Sequence, residues 1–197
     1  MNKLNGRFSD LLEQIRLFEK RYQRPENSVK LLTVSKKKPL ADIIQIHKLG
    51  QRDFAENYLQ EALGKISSLA NNDLTWHFIG PVQSNKTRQI AEQFSWVHSI
   101  DRLKIAHRLA QARPEHLPPL NLCIQINISL ETNKSGIIAT EATELAAEIS
   151  QLKNVQLRGL MGLPQPSTDF ETQKAQCRML ANCFTELNEK GYQLDTL

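Results

Sequence analysis

Apolar residues recur along this chain at two alternating periods. Near the N-terminus Phe8, Leu11, Leu12, Ile15 and Phe18 share one helical face, and Arg24-Pro25 stops the pattern, which predicts a first helix within residues 1–24. Beyond it, short apolar runs alternate with longer amphipathic stretches. The runs predict strands at 30–35, 52–55, 75–79, 95–99, 120–127 and 155–160. The stretches predict helices at 39–49, 57–70, 84–93, 101–113, 138–151 and 168–190. A strand followed each time by a helix is the pattern of a parallel sheet with helical crossovers.

The fifth run, LNLCIQIN, weighs an open sheet against a barrel. Leu120, Leu122, Ile124 and Ile126 fall on one face; Asn121, Cys123, Gln125 and Asn127 fall on the other. A strand sandwiched between two helix layers is apolar on both faces. A barrel strand turns one face to helices and one to an interior that can hold a ligand. The pattern favours a TIM-type (β/α)₈ barrel, with an edge strand of an open sheet as the alternative. Six strands are read, and YQLDTL at the end resembles the start of a seventh, so the expected barrel lacks its last strand or strands.

Composition adds limits. The 197 residues are 40% hydrophobic and 23% charged, with no long Gly-, Pro- or Ser-rich linker, which fits one domain over residues 1–197. The N-terminus mixes charged and apolar residues and is neither a signal peptide nor a membrane span, so a cytoplasmic protein is expected. Three cysteines without a C-x-x-C suggest neither a disulfide framework nor a zinc site, and Cys123 reads as a small buried hydrophobe. The net charge of +4 suits an anionic ligand. A nucleic-acid surface built from Lys36 to Lys38, Lys86, Arg88 and Lys134 is disfavoured because no aromatic residues interleave with the charge.

In a barrel, chemistry gathers where strands run into the following loops. Lys36 ends the first strand, in LLTVSKKKPL. Period two puts Leu32, Val34 and Lys36 on one face, so an inward Leu32 and Val34 carry Lys36 to the barrel mouth. There a partly desolvated lysine becomes a nucleophilic amine. A strand-end lysine reaching into solvent is the competing and, on pattern alone, heavier reading. Glu56 and Asn57 end the second strand. In WHFIGPVQSNK, Trp76 and Phe78 share one face and His77 and Ile79 the other. His77 reads more readily as a hydrogen-bonded interior histidine than as a general base, since no carboxylate partner is set by spacing. Ser84 is the expected N-cap of a helix beginning near Asn85. Such a capped start can accept an anion, helped by Asn85, Lys86 and Arg88; a solvated helix face for the last two stands equally. Ser99 and Asp101 follow the fourth strand, Asn127 and Ser129 the fifth, and Met161 ends the sixth. In NKSG, Gly136 suits a tight loop, and Lys134 is a surface lysine or a second cationic lid group.

Taken together, VSK (Val34 to Lys36), AENYLQE (Ala55 to Glu61), WHFIGPVQSNK, HSIDR (His98 to Arg102), QINIS (Gln125 to Ser129), NKSG and RGLMGLP (Arg158 to Pro164) resemble the pyridoxal phosphate homeostasis proteins. These are single-domain relatives of the N-terminal barrel of alanine racemase, and the motifs follow the family's order over nearly the whole chain. The resemblance implies a barrel that binds pyridoxal 5′-phosphate as a Schiff base on Lys36, with Asn57, His77 and Met161 around the cofactor and Ser84 and Asn85 in the motif behind His77. It implies a carrier or buffer of the cofactor rather than an enzyme, a monomer, with PLP-dependent apoenzymes as recipients. A racemase would need a second acid/base from a further domain, and a disrupted relic is the other alternative. Ala55 stands where the family usually has glycine, and Gly162 where it has a small apolar residue. The resemblance also implies a phosphate-holding loop and a closing strand beyond the position of Leu197, which the reading expects to be absent from the chain.

Overall fold

The computed structural model describes residues 3–129 and 135–197. Two compact units cluster within it, residues 1–76 and 77–197.

The first unit contains α1 (Lys3–Arg21), β1 (Thr33–Val34), α2 (Leu40–Lys48), β2 (Asp53–Glu56), α3 (Leu59–Ser68) and the opening residues of β3 (Thr75–Phe78). β1 runs parallel to β2 with Thr33 opposite Phe54 and Val34 opposite Ala55. The Thr75 amide donates to the Arg52 carbonyl at 2.8 Å, which starts the next strand beside β2. Phe54, Ile43, Ile46, Leu59, Ala62 and Trp76 form the core, and the Phe54 and Trp76 rings meet at 6.1 Å. The expected first helix exists, but its inward stripe is different. Phe8 and Glu19 are buried and Leu4, Leu12 and Ile15 half-buried, whereas Leu11 and Phe18 are exposed. The missed member is the carboxylate. Glu19 accepts from the amides of Val29 (2.6 Å) and Asn27 (3.2 Å) and pairs with Arg16 (2.6 Å), which closes the loop into β1. A charged residue satisfied this way occupies an inward position that hydrophobic periodicity alone does not assign.

The second unit carries the rest of β3, then α4 (Thr87–Gln93), β4 (Trp96–Ile100), α5 (Leu103–Ala112), β5 (Leu120–Gln125), α6 (Ala142–Ser150), β6 (Val155–Met161) and α7 (Phe170–Glu189). Its strands lie in the order β3-β4-β5-β6, all parallel. Leu120, Leu122, Ile124 and Ile126 are fully buried, as are Ile105, Leu109, Ala146 and Ile149 of the crossover helices. The opposite face of β5 holds half-buried Asn121 and Gln125, the two-faced strand expected of a barrel. After α7 the chain comes back beside β6: Thr196 bridges Gly159 in parallel, and the Leu160 amide donates to the Thr196 carbonyl at 3.1 Å. The expected start of a seventh strand is therefore present. It requires glycine at 159, because a Cβ there would lie 1.6 Å from the Thr196 carbonyl oxygen.

Candidate functional site

In the first unit the C-terminal ends of β1 and β2 bring Lys36 and Asn57 to one edge. Lys36 sits in a turn closed by the Lys38 amide on the Ser35 carbonyl (3.0 Å). Lys37 adopts φ 59°, and its ammonium lies 6.0 Å from the centre of the Tyr58 ring. Val34 and Lys36 do share a side, but both are exposed; the buried residue is Ser35, on the other face. The expected desolvation of Lys36 is thus corrected, since β1 pairs for only two residues and the turn lifts Lys36 clear of the core. The Oδ1 of Asn57 is buried without a hydrogen-bond partner among the described residues. Such an acceptor is costly to leave unmade and calls for a donor.

Behind this edge stands a network that sequence reasoning missed. Lys65 of α3, 7% exposed, donates to the Ser35 carbonyl (2.7 Å), to Glu56 Oε1 (2.7 Å) and to Glu61 Oε1 (2.6 Å). The Ser35 hydroxyl donates to Glu56 Oε1 at 2.6 Å, and Glu61 Oε1 accepts the Lys37 amide at 2.6 Å. The hydrogen bond from Lys65 holds the Glu61 carboxyl below the usual carboxylate range, with the Lys37 amide adding to it. The four-residue spacing of Glu61 and Lys65 was the available signal, but on a helix it reads as a solvated pair.

In the second unit the polar face of the sheet is a stack of rings. His77 Nδ1 lies 2.9 Å from His98 Nε2, and Trp96 is stacked within 6 Å of both imidazoles. The Arg158 guanidinium covers Trp96 at 4.8 Å, donates to Asn121 Oδ1 (2.7 Å) and forks onto Asp195. Burial, with the His77 imidazole adding to it, pushes His98 down to about 4, so the His98 ring is neutral at neutral pH. His77 is thereby an interior histidine, hydrogen-bonded to another imidazole. Arg158 holds Asp195 below the usual carboxylate range. Cys123 is fully buried as expected, its thiol pushed up to about 12 by burial.

Ser84 and Asn85 lie at the strand edge after β3, and Met161 ends β6 on the same edge of this unit. Ser84 does not cap a helix. Residues 84–86 form a turn closed by the Lys86 amide on the Gln83 carbonyl (2.9 Å), and α4 starts only at Thr87 without a side-chain cap. The loop is held instead at its carbonyls: Gly80 accepts from Ser99 Oγ (2.5 Å), Val82 from Arg102 (3.2 Å) and Ser84 from Arg108 (3.1 Å). Asn85 is exposed, and Arg88 pairs with Glu92 on a solvated helix face. Lys134 lies outside the described residues. Gly162 is tight: a Cβ there would meet Leu180 at 3.1 Å and Ile128 at 3.2 Å. No metal-binding cluster of His, Cys, Asp and Glu occurs among the described residues, and none of their helices is long and apolar enough to cross a membrane.

Comparison with known proteins gives these edges their context. The alanine racemase N-terminal domain family matches residues 9–197. The pyridoxal phosphate homeostasis protein of Pseudomonas aeruginosa PAO1 is 53% identical over 174 residues, 88% of this chain and 74% of that protein. The chain belongs to the pyridoxal phosphate homeostasis protein family. Among solved structures, PipY of Synechococcus elongatus PCC7942 is 36% identical in its form without PLP, with a TM-score of 0.79 over 91% of this chain and 84% of that one. PipY with PLP bound superposes with a TM-score of 0.76 at 35% identity over the same shares. The alanine racemase of Clostridium difficile 630, at 13% identity and a TM-score of 0.71 over 87% of this chain and 46% of that one, shares the fold. The fold of this homeostasis-family chain is that of the racemase N-terminal domain, an α/β fold of the TIM-barrel type.

Proposed function

We propose that this chain binds pyridoxal 5′-phosphate on Lys36 and takes part in the cell's pyridoxal phosphate homeostasis without a turnover of its own. The reading is supported by its family and by PipY, a relative solved with PLP bound. The observation that carries it onto particular residues is the edge of the first unit, where an exposed primary amine lies one strand from a buried, unpartnered amide oxygen. When bound, the cofactor supplies a reactive aldehyde beside a hydroxyl, and a phosphate anion. Lys36 provides the nucleophilic amine. Asn57 Oδ1 provides an acceptor that lacks a donor, which fits a hydroxyl. The second unit's candidates for the same cofactor, His77, Ser84, Asn85 and Met161, rest on the family motif alone.

The exposure of Lys36 suits a carrier. A solvent-facing amine is reachable by competing amines, so what it captures it can also hand on, and PLP-dependent apoenzymes are the recipients in this reading. The absence of turnover in this proposal fits the burial of His77 and His98 and the engagement of Glu56 with Lys65. The reading also holds the protein to be a cytoplasmic monomer. Titration with pyridoxal 5′-phosphate, followed by its visible absorbance, tests the function. One-to-one saturation is expected, weakened at least ~10-fold by Lys36→Ala, a loss of about 1.4 kcal/mol or more. Equal affinity in parent and variant would contradict it.

A further inference from the structure

The Lys65 network reaches the two peptide groups on either side of Lys36. The carbonyl before Lys36, that of Ser35, accepts from Lys65 Nζ, and the amide after it, that of Lys37, donates to Glu61 Oε1. Both gripping side chains stand one turn apart on α3 and bind each other at 2.6 Å. An ammonium has three protons, and those of Lys65 are engaged by Ser35, Glu56 and Glu61. Lys65 is therefore no second capture amine. Burying one cation with carboxylates is a weak route to stability, since apolar side chains of the same volume serve as well, but it fixes register. What is fixed here is a turn whose central residue, Lys37, is a non-glycine at φ 59°, a conformation that persists where its surroundings over-determine it.

We infer that Lys65 and Glu61 are positioning residues for Lys36: gripping both flanking peptide groups, they aim one of three consecutive lysines at the incoming aldehyde. This rests on the function proposed above. Without the grip, Lys36, Lys37 and Lys38 become equivalent exposed amines on a mobile turn, and the choice among them is lost.

Two readouts test it on the full chain. Borohydride reduction in the presence of pyridoxal phosphate, followed by peptide mapping, gives the share of label on each lysine. Amide hydrogen exchange at Lys37 reports the grip without any cofactor. Glu61→Ala, at a half-buried position, should speed Lys37 exchange at least ~10-fold and spread label from Lys36 onto Lys37 and Lys38. Lys65→Met should do the same, and Lys65→Arg should restore most of the parent distribution. Ile46→Val, a core truncation in α2 of the same unit, controls for lost stability and should leave the distribution unchanged. If Glu61→Ala alters neither exchange nor distribution, or Ile46→Val redistributes label as much, the positioning role is overturned while the function stands. A parent chain unlabelled at Lys36 overturns the function and the positioning role with it.

Discussion

Around Lys36, the strand ends of the first unit are held by charge: one buried ammonium, two carboxylates and a serine hydroxyl tie β1 and β2 to α3. On the polar face of the second unit, β3 and β4 are held by stacked rings, two imidazoles and an indole under one guanidinium. The difference lies in what each arrangement tolerates. The charged network depends on every member keeping its partner, and it stays intact as long as its carboxylates are ionised. The stacked rings hold together as long as His98 stays unprotonated. One edge thus rests on a buried ion-pair network and the other face on stacked rings beside a partly exposed ion pair.

The largest loss of stability is expected at Glu56. Glu56→Ala leaves Lys65 buried beside only one carboxylate, and should cost about 3–5 kcal/mol in denaturant unfolding. Removing both charges, in Glu56→Leu with Lys65→Met, should recover most of that loss. If the double variant is as unstable as the single one, the network is not an ion-pair network in energetic terms.

The second half breaks with pH. The folded value of His98 is depressed from 6.5 to about 4. The unfolded chain therefore binds the proton first, and stability is full above about 6.5 and declines as pH falls toward 4, by roughly 3 kcal/mol in total. His98→Asn should flatten this window. The depressed Glu61 carboxyl acts lower: its contribution is complete above the ordinary value of 4.5 and is lost as pH falls through its folded value. Amide exchange followed against pH should see the second unit loosen before the edge around Lys36; the reverse order would contradict the comparison.

Smaller effects sharpen it. Arg158→Lys keeps the charge but loses the fork onto Asp195 and the planar cover on Trp96, and should cost about 1 kcal/mol by thermal unfolding. Ser84→Ala should change stability by less than ~0.5 kcal/mol, because that side chain caps no helix.

The alternation of strands and helices was legible because hydrophobic period reports burial directly, and LNLCIQIN even showed which face meets the helices. The start of a seventh strand was legible in YQLDTL for the same reason. What escaped reading were polar residues used as core. Glu19, Lys65 and His98 are buried with the help of partners distant in sequence, and no local period encodes a partner 10 or 30 residues away. Ser84 misled in the opposite direction: the residue type fits a cap, but the preceding turn delays the helix to Thr87. Lys36 came from strand alternation and the family motif, and its exposure came from the shortness of β1, which composition does not reveal.

The proposed function turns on whether Lys36 is the amine that holds the cofactor. Reducing the protein with borohydride in stoichiometric pyridoxal 5′-phosphate and mapping the modified peptide decides it most directly. A single pyridoxyl mass is expected on the peptide containing Lys36, fragmented to that residue. Label confined to another lysine, or none at all, would contradict it.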